Sequence, residues 1–118
     1  MTNGVIIYHN PRCSKSRATL KLLEDKQITP TIVTYLDTPP DANTLNEVLE
    51  MLGIDDPRKL MRQHEVEYKE NNLDDESLSK EDLIQAMLKY PRLIERPIVV
   101  TNGKAAIGRP PETILDIL

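Results

Sequence analysis

The strongest constraint on the fold of this chain lies in its first third, where two strand-like runs enclose a helix-like run. Val5–Tyr8 is apolar, and the run from Thr31 to Leu36 is β-branched and aromatic. Between them, the segment from Ser14 to about Asp25 has an apolar stripe at helical spacing, formed by Ala18, Leu20, Leu22 and Leu23. Two strands joined by a helix of this length pair in parallel through a right-handed crossover. The opening therefore predicts an α/β fold.

The middle of the chain predicts an all-helical insertion over about residues 41–92. Apolar residues at helical spacing indicate a helix that ends at Gly53, and Pro57–Arg62 could form a short helix. The pattern Ser79-x-x-Asp82 resembles a capping box and predicts a further helix, which ends before Pro91. The polar, acidic stretch between them, His64–Ser77, is expected to be exposed. Residues 64–79 could also serve as a mobile flap over the functional site.

The last part of the chain predicts a β-hairpin and a final helix. Ile98–Val100 reads as a buried strand, and Asn102-Gly103 is a strong signal for a tight hairpin turn. Ala105–Ile107 would be the antiparallel partner, and Pro110-Pro111 would open the last helix. The whole order is β-α-β, helical insertion, then β-β-α. This order predicts one domain, residues 1–118, with a mixed sheet.

Composition limits the classes of function. A net charge of −4 argues against a general nucleic-acid or membrane-surface binder, and no apolar stretch approaches the length of a membrane span. The start of the chain shows no signal peptide, and a lone thiol fits a reducing compartment, so we expect a cytoplasmic protein. One cysteine excludes an internal disulfide, and with two histidines it leaves too few ligands for a structural zinc site. We therefore expect no bound metal.

The single cysteine, Cys13, stands between the first strand and the first helix. Free backbone N–H groups and the positive end of the helix dipole favour a thiolate at such a position. The cations Arg12, Lys15 and Arg17 lie within four residues of Cys13 and act in the same direction. An inert buried cysteine is the alternative, but this setting favours a nucleophile.

Five separated motifs, in this order along the chain, resemble the glutaredoxin-linked arsenate reductase family, whose fold is thioredoxin-like. They are Tyr8–Arg17, Tyr35–Pro40, Leu60–Arg62, Glu95–Val100 and Gly108–Glu112. The well-known members carry a small residue before the cysteine and Gly-Thr after it, whereas this chain has Arg12 and Ser14-Lys15. The resemblance therefore covers nearly the whole chain but departs from the usual motif beside the cysteine.

The resemblance implies a role for several residues. Cys13 would be the catalytic nucleophile, and Arg62, Arg96 and Arg109 would surround the oxyanion. Arginine suits this task because its planar fork donates paired hydrogen bonds and keeps its charge. Arg58 is a nearby competitor for the role of Arg62. The resemblance also implies a cis peptide at Arg96-Pro97.

Three further residues are candidates for stabilising the Cys13 thiolate. His9 could do so as a protonated imidazole, or it could simply cap the turn. Arg12 would act through its charge. Ser16 lies in the first helical turn, where a serine more often serves as a cap.

The resemblance implies an oxidoreductase that reduces arsenate to arsenite in arsenic detoxification. Cys13-Ser14-Lys15-Ser16 is a C-x-x-S motif, so the second thiol must come from outside, as glutathione and glutaredoxin, with no tightly bound cofactor. Two alternatives stay open. One is a redox-sensing regulator of the Spx type that binds RNA polymerase, and the other is a glutathione-dependent reductase of protein mixed disulfides.

Overall fold

The computed structural model describes residues 4–118, which contain both strands and helices. The strands are β1 (Ile6–Tyr8), β2 (Thr31–Val33), β3 (Ile98–Thr101) and β4 (Lys104–Ile107). The α-helices are α1 (Ser14–Asp25), α2 (Ala42–Leu52), α3 (Val66–Glu70) and α4 (Lys80–Lys89). Segments of 3₁₀ helix span Pro57–Leu60, Pro91–Leu93 and Pro111–Ile117. The last of these replaces the regular helix expected at the end of the chain.

The described chain forms two compact units, of which the first contains the sheet. This unit comprises the chain up to Thr38 together with Arg96–Leu118. Its strand order is β2-β1-β3-β4, with β1 parallel to β2 and antiparallel to β3, and with β3 and β4 joined as a hairpin. The predicted mixed sheet of a thioredoxin-like α/β fold is confirmed. Its core consists of Ile7, Leu23, Val99, Ala106 and Ile114.

Helix α1 has the bounds expected from the sequence, and most of its expected apolar stripe packs on the core: Leu23 is buried, and Leu20 and Leu22 are partly buried against it. Ala18 is exposed, whereas Ser16, Thr19 and Leu23 are buried. These three positions follow the i, i+3, i+7 spacing of one helix face. The expected stripe was therefore wrong only at Ala18, and it did not include Ser16 and Thr19, because hydropathy does not detect buried hydroxyl groups. The buried hydroxyls lie beside the active-site loop, as shown below.

Strand β2 is shorter than expected. It ends at Val33, because the chain then turns: the N–H groups of Asp37 and Thr38 both donate to the carbonyl of Thr34, each at 3.0 Å. Leu36, expected within the strand, is 39% exposed in this turn. The Asn102-Gly103 turn is confirmed, with both residues at positive φ.

The second compact unit spans Pro39–Glu95 and is mainly helical. Helix α2 begins at an Asp41 cap, whose carboxylate accepts from the Thr44 N–H at 2.8 Å, and it ends at Gly53 with φ of +69°. The expected capping box at the start of α4 is confirmed, since Ser79 and Asp82 each bond the other's backbone N–H. Helices α2 and α4 contact each other, and each contributes fully buried aliphatic side chains, Leu49 on α2 and Met87 on α4.

The acidic stretch after Arg62 is not exposed throughout, contrary to expectation. His64 is exposed, but Tyr68 on α3 and Leu73 after it are buried. The Arg58 guanidinium fixes this segment by donating from Nε to the Leu73 carbonyl at 2.7 Å. The guanidinium of Arg58, the competitor for the role of Arg62, therefore makes a structural contact inside the helical unit. Among residues 4–118, no helix is long and apolar enough to cross a membrane.

Candidate active site

Cys13 is the N-cap residue of α1 and a free, partly exposed thiol. Its backbone is extended, with φ of −95° and ψ of 124°. The Cys13 N–H donates to the Asn10 carbonyl at 3.0 Å, and the Cys13 carbonyl accepts from the Arg17 N–H at 3.0 Å. The Arg17 guanidinium also donates to the Pro11 carbonyl at 3.0 Å. These bonds fix the loop that presents the sulfur at the start of the helix.

The surroundings of Cys13 lower the pKa of its thiol. Burial acts in the opposite direction and is the largest single influence, but it is outweighed by the backbone N–H of Ser16, the charge of Arg96, the N–H of Lys15 and a hydrogen bond from the Arg109 side chain. Helix N–H groups and cations stabilise the thiolate relative to the thiol. The site therefore has the electrostatic character of a nucleophilic cysteine.

Arg96 and Arg109 reach this sulfur from the two ends of the β3–β4 hairpin. Arg96 immediately precedes Pro97 through a cis peptide bond, as the resemblance implied, and Arg109 precedes Pro110 through a second cis bond that was not expected. The Arg109 Nη1 atom donates to the Arg96 carbonyl at 3.2 Å. The structure thus brings Cys13, Arg96 and Arg109 together.

Gly108 holds the Arg109 segment close to α1. Its N–H donates to the Pro97 carbonyl at 2.9 Å. A Cβ atom at Gly108 would lie only 2.9 Å from Pro97 Cγ and would overlap Thr19 Oγ1. The Thr19 hydroxyl donates to the Lys15 carbonyl at 2.9 Å, within α1. Only glycine therefore permits this close approach of the two segments that carry Cys13 and Arg109.

His9 and Ser16 form a buried polar pair behind the loop. His9 Nδ1 lies 2.6 Å from Ser16 Oγ, and the same Oγ accepts from the Asn10 N–H at 3.0 Å. Burial lowers the pKa of His9, and the charge of Arg17 lowers it further. The imidazole is therefore neutral near pH 7, and Nδ1 can accept the Ser16 proton. His9 therefore contacts the Ser16 hydroxyl, whereas the Ser16 backbone N–H lowers the pKa of the Cys13 thiol, and the expected stabilisation of the thiolate by a protonated His9 is not supported.

We expect Ser16→Ala to lower the free energy of unfolding by about 1–3 kcal/mol, because it leaves the buried His9 Nδ1 and the partly buried Asn10 N–H without their shared partner. Urea unfolding of both proteins measures this difference. Ser14→Ala is the matched control, since Ser14 is the exposed first residue of the same helix. Equal losses in the two variants would contradict the structural role given to the Ser16 hydroxyl.

The lowered pKa of Cys13 predicts a specific pH dependence. The rate of Cys13 alkylation by iodoacetamide, measured against pH, should have its midpoint below about 8.5, the usual pKa of a free thiol. Because unfolding restores the ordinary pKa, ionisation of Cys13 stabilises the folded state above the unfolded pKa, and this contribution disappears as pH falls through the folded pKa. Cys13→Ser should remove that part of the pH dependence of unfolding. An inflection at or above the usual value would contradict the prediction.

Arg62 and Arg12 are the two other residues expected at the site. Arg62 belongs to the helical unit, where its guanidinium pairs with Glu65 at 3.3 Å, and Glu65 also pairs with Arg92 at 3.1 Å. Arg12 is exposed and lines a groove beside the active-site loop. Within residues 4–118, no group of three or more His, Cys, Asp or Glu side chains is arranged to hold a metal ion.

Two residues that position the site were missed by the sequence reasoning. Thr19 and Gly108 are separated by 89 positions and act only through their contact in the folded unit. A signal for Gly108 existed, since glycine between a strand and Arg109-Pro110 indicates a close backbone approach. No local pattern marks Thr19.

The fold and the site define a thioredoxin-like protein with a single cysteine, of lowered thiol pKa, at the N-terminus of its first helix. The model of the ArsC family matches residues 8–117, nearly the whole chain. The chain belongs to the ArsC family.

Named relatives share this similarity over their full length. The protein YfgD of Escherichia coli K12 is 61% identical over 118 residues, covering 100% of this chain and 99% of the relative. An arsenate reductase of Haemophilus influenzae is 54% identical over 115 residues, covering 98% of this chain and 99% of the relative. The solved structure of an arsenate reductase from Vibrio cholerae superimposes with a TM-score of 0.96 at 51% identity, covering all of both chains.

Proposed function

We propose that this protein reduces arsenate to arsenite with Cys13 as the nucleophile. The observation that carries the proposal is the setting of Cys13, where Arg96, Arg109 and two backbone N–H groups lower the thiol pKa. The same cations that favour a thiolate also attract an oxyanion substrate. Relatives that bear the name arsenate reductase, at identities of 50% and above, support arsenate as that oxyanion.

In the first step, the Cys13 thiolate attacks arsenic(V). A sulfur–arsenic bond forms, and an arsenate hydroxyl leaves as water after it gains a proton. Arg96 and Arg109 bind the arsenate oxygens and reduce the repulsion between two anions. Arg62 is proposed as the third oxyanion ligand on the family resemblance, and its pair with Glu65 would hold the guanidinium in one orientation.

In the second step, a glutathione thiolate attacks the Cys13 sulfur. A disulfide forms between Cys13 and glutathione, the sulfur–arsenic bond breaks, and its electron pair stays on arsenic, which becomes arsenic(III) and leaves as arsenite. The two sulfurs together lose the two electrons that arsenic gains. Ser16 occupies the place of a second cysteine, so a glutaredoxin thiol removes the glutathione and restores Cys13. A reaction that takes its electrons from free thiols fits the reducing environment of the cytoplasm.

A coupled assay tests the proposal. Arsenate-dependent oxidation of NADPH is followed with glutathione, glutaredoxin and glutathione reductase present, and then with glutathione or glutaredoxin omitted. We expect turnover only in the complete mixture. Absence of turnover, while Cys13 is still alkylated rapidly at neutral pH, would contradict arsenate as the substrate. Turnover without glutaredoxin would instead contradict only the last step.

A further inference from the structure

A groove beside the active-site loop has no role in the steps above. Its volume is about 290 Å³, and it lies entirely within the sheet-containing unit. One wall is formed by loop residues 9–12, directly before Cys13, and the other by Thr34, Leu36 and Asp37 in the turn after β2. This volume is at the lower end of ligand-binding pockets, so it suits part of a small ligand.

The groove carries one exposed charge of each sign. Arg12 lies in the loop wall and Asp37 in the opposite wall, and the side chains of both residues are exposed. Within residues 4–118, neither side chain takes part in an ion pair. Leu36, which is 39% exposed, adds apolar surface to the wall that carries Asp37. A groove of this kind complements an elongated zwitterion with an apolar middle.

We propose that this groove binds the peptide part of glutathione, an inference that rests on the proposed function and assigns the location of its thiol substrate. Arg12 pairs with a glutathione carboxylate, and Asp37 pairs with the ammonium group of the γ-glutamyl residue. Because Arg12 immediately precedes Cys13, a peptide held here keeps its sulfur beside the Cys13 sulfur. Arg12 then determines which thiols react at the site.

The reaction of Cys13 with oxidised glutathione tests this assignment without arsenate. The Cys13 thiolate attacks one sulfur of the disulfide, a new sulfur–sulfur bond forms, and glutathione thiolate leaves with the electron pair. The rate is compared with that for bis(2-hydroxyethyl) disulfide, which is uncharged. The ratio of the two rates cancels any change in the reactivity of Cys13 itself, and it therefore separates peptide binding by Arg12 from an effect of its charge on the thiolate.

We expect Arg12→Gln to lower this ratio by about three- to tenfold, the size expected for loss of one charge-assisted contact at an exposed site. Asp37→Asn should lower it as well, and Arg12→Lys should restore part of it. Lys21→Gln is the charge-matched control, because Lys21 is an exposed cation on α1 outside the groove. An unchanged ratio in Arg12→Gln, or an equal fall in Lys21→Gln, would overturn the proposal.

Binding of S-methylglutathione, which cannot react, gives an independent measurement. Backbone amide NMR shifts should change at residues 9–12 and 34–37 during the titration. Shifts confined to other segments would overturn the groove assignment even if arsenate is reduced normally. Conversely, if shifts occur in the groove but arsenate is not reduced, the groove assignment stands and arsenate is not the substrate.

Discussion

Replacing Cys13 by serine is expected to reduce arsenate-dependent turnover by a factor of about a thousand or more. The hydroxyl of serine stays protonated in this environment, whereas the groups that lower the pKa of the Cys13 thiol supply a thiolate. Serine also cannot form the disulfide that lets arsenic leave with the sulfur–arsenic electron pair. The measurement is the coupled NADPH assay at saturating glutathione.

Ser14→Ala is the control for this substitution, because it changes the adjacent exposed residue and leaves the thiol intact. Circular dichroism and urea unfolding of both variants separate loss of chemistry from loss of fold. Residual turnover of Cys13→Ser within tenfold of the unchanged protein would contradict the role of Cys13. Such a result would place the reaction at another group.

Removing the Arg109 side chain should lower kcat/KM for arsenate by about a hundredfold. Arg109 donates a hydrogen bond toward the Cys13 sulfur and another to the Arg96 carbonyl, so Arg109→Ala removes a contact to the nucleophile and loosens the second arginine segment. The pKa of Cys13 should rise in the same variant, since one of the groups that lower it is gone. Alkylation rates across the pH range measure this rise directly.

Lys104→Ala is the matched control for Arg109→Ala, because it removes the same charge from the opposite end of β4. Arg109→Lys keeps the charge but lacks the two-pronged donor geometry of the guanidinium. We therefore expect this variant to keep most of the lowered thiol pKa but to lose most of the turnover. An unchanged kcat/KM in Arg109→Ala would contradict oxyanion binding by this residue. An unchanged thiol pKa would contradict its contact with the sulfur.

Much of the fold could be predicted because its boundaries carry local chemical signals. The Ser79–Asp82 capping box, the Asn102-Gly103 turn and the Gly53 helix end each depend on residues within one turn of chain. The bounds of α1, Ser14–Asp25, were likewise predicted from residues close to each end of the helix. These features need no tertiary contact to be recognised.

The features that could not be predicted depend on tertiary contacts. Tyr68 and Leu73 are buried within a stretch whose composition is acidic and polar, because the helical unit packs over them. Ser16 and Thr19 are buried although both are polar, since each hydroxyl finds a specific partner in the fold. Arg96 and Arg109 were predicted from a family resemblance and from their positions before a proline beside a predicted strand. Their spacing in the sequence could not show that the two segments reach one sulfur.

The contact between Gly108 and Thr19 has a consequence for how this site tolerates change. Since no space remains between the helix that carries the thiol and the segment that carries Arg109, the two cannot slide independently, and a bulkier residue at either position displaces the other. The positions of the Cys13 thiol and of Arg109 are thus coupled by the contact between Gly108 and Thr19. Sequence drift at these two positions must therefore be correlated if the distance between sulfur and guanidinium is to be kept.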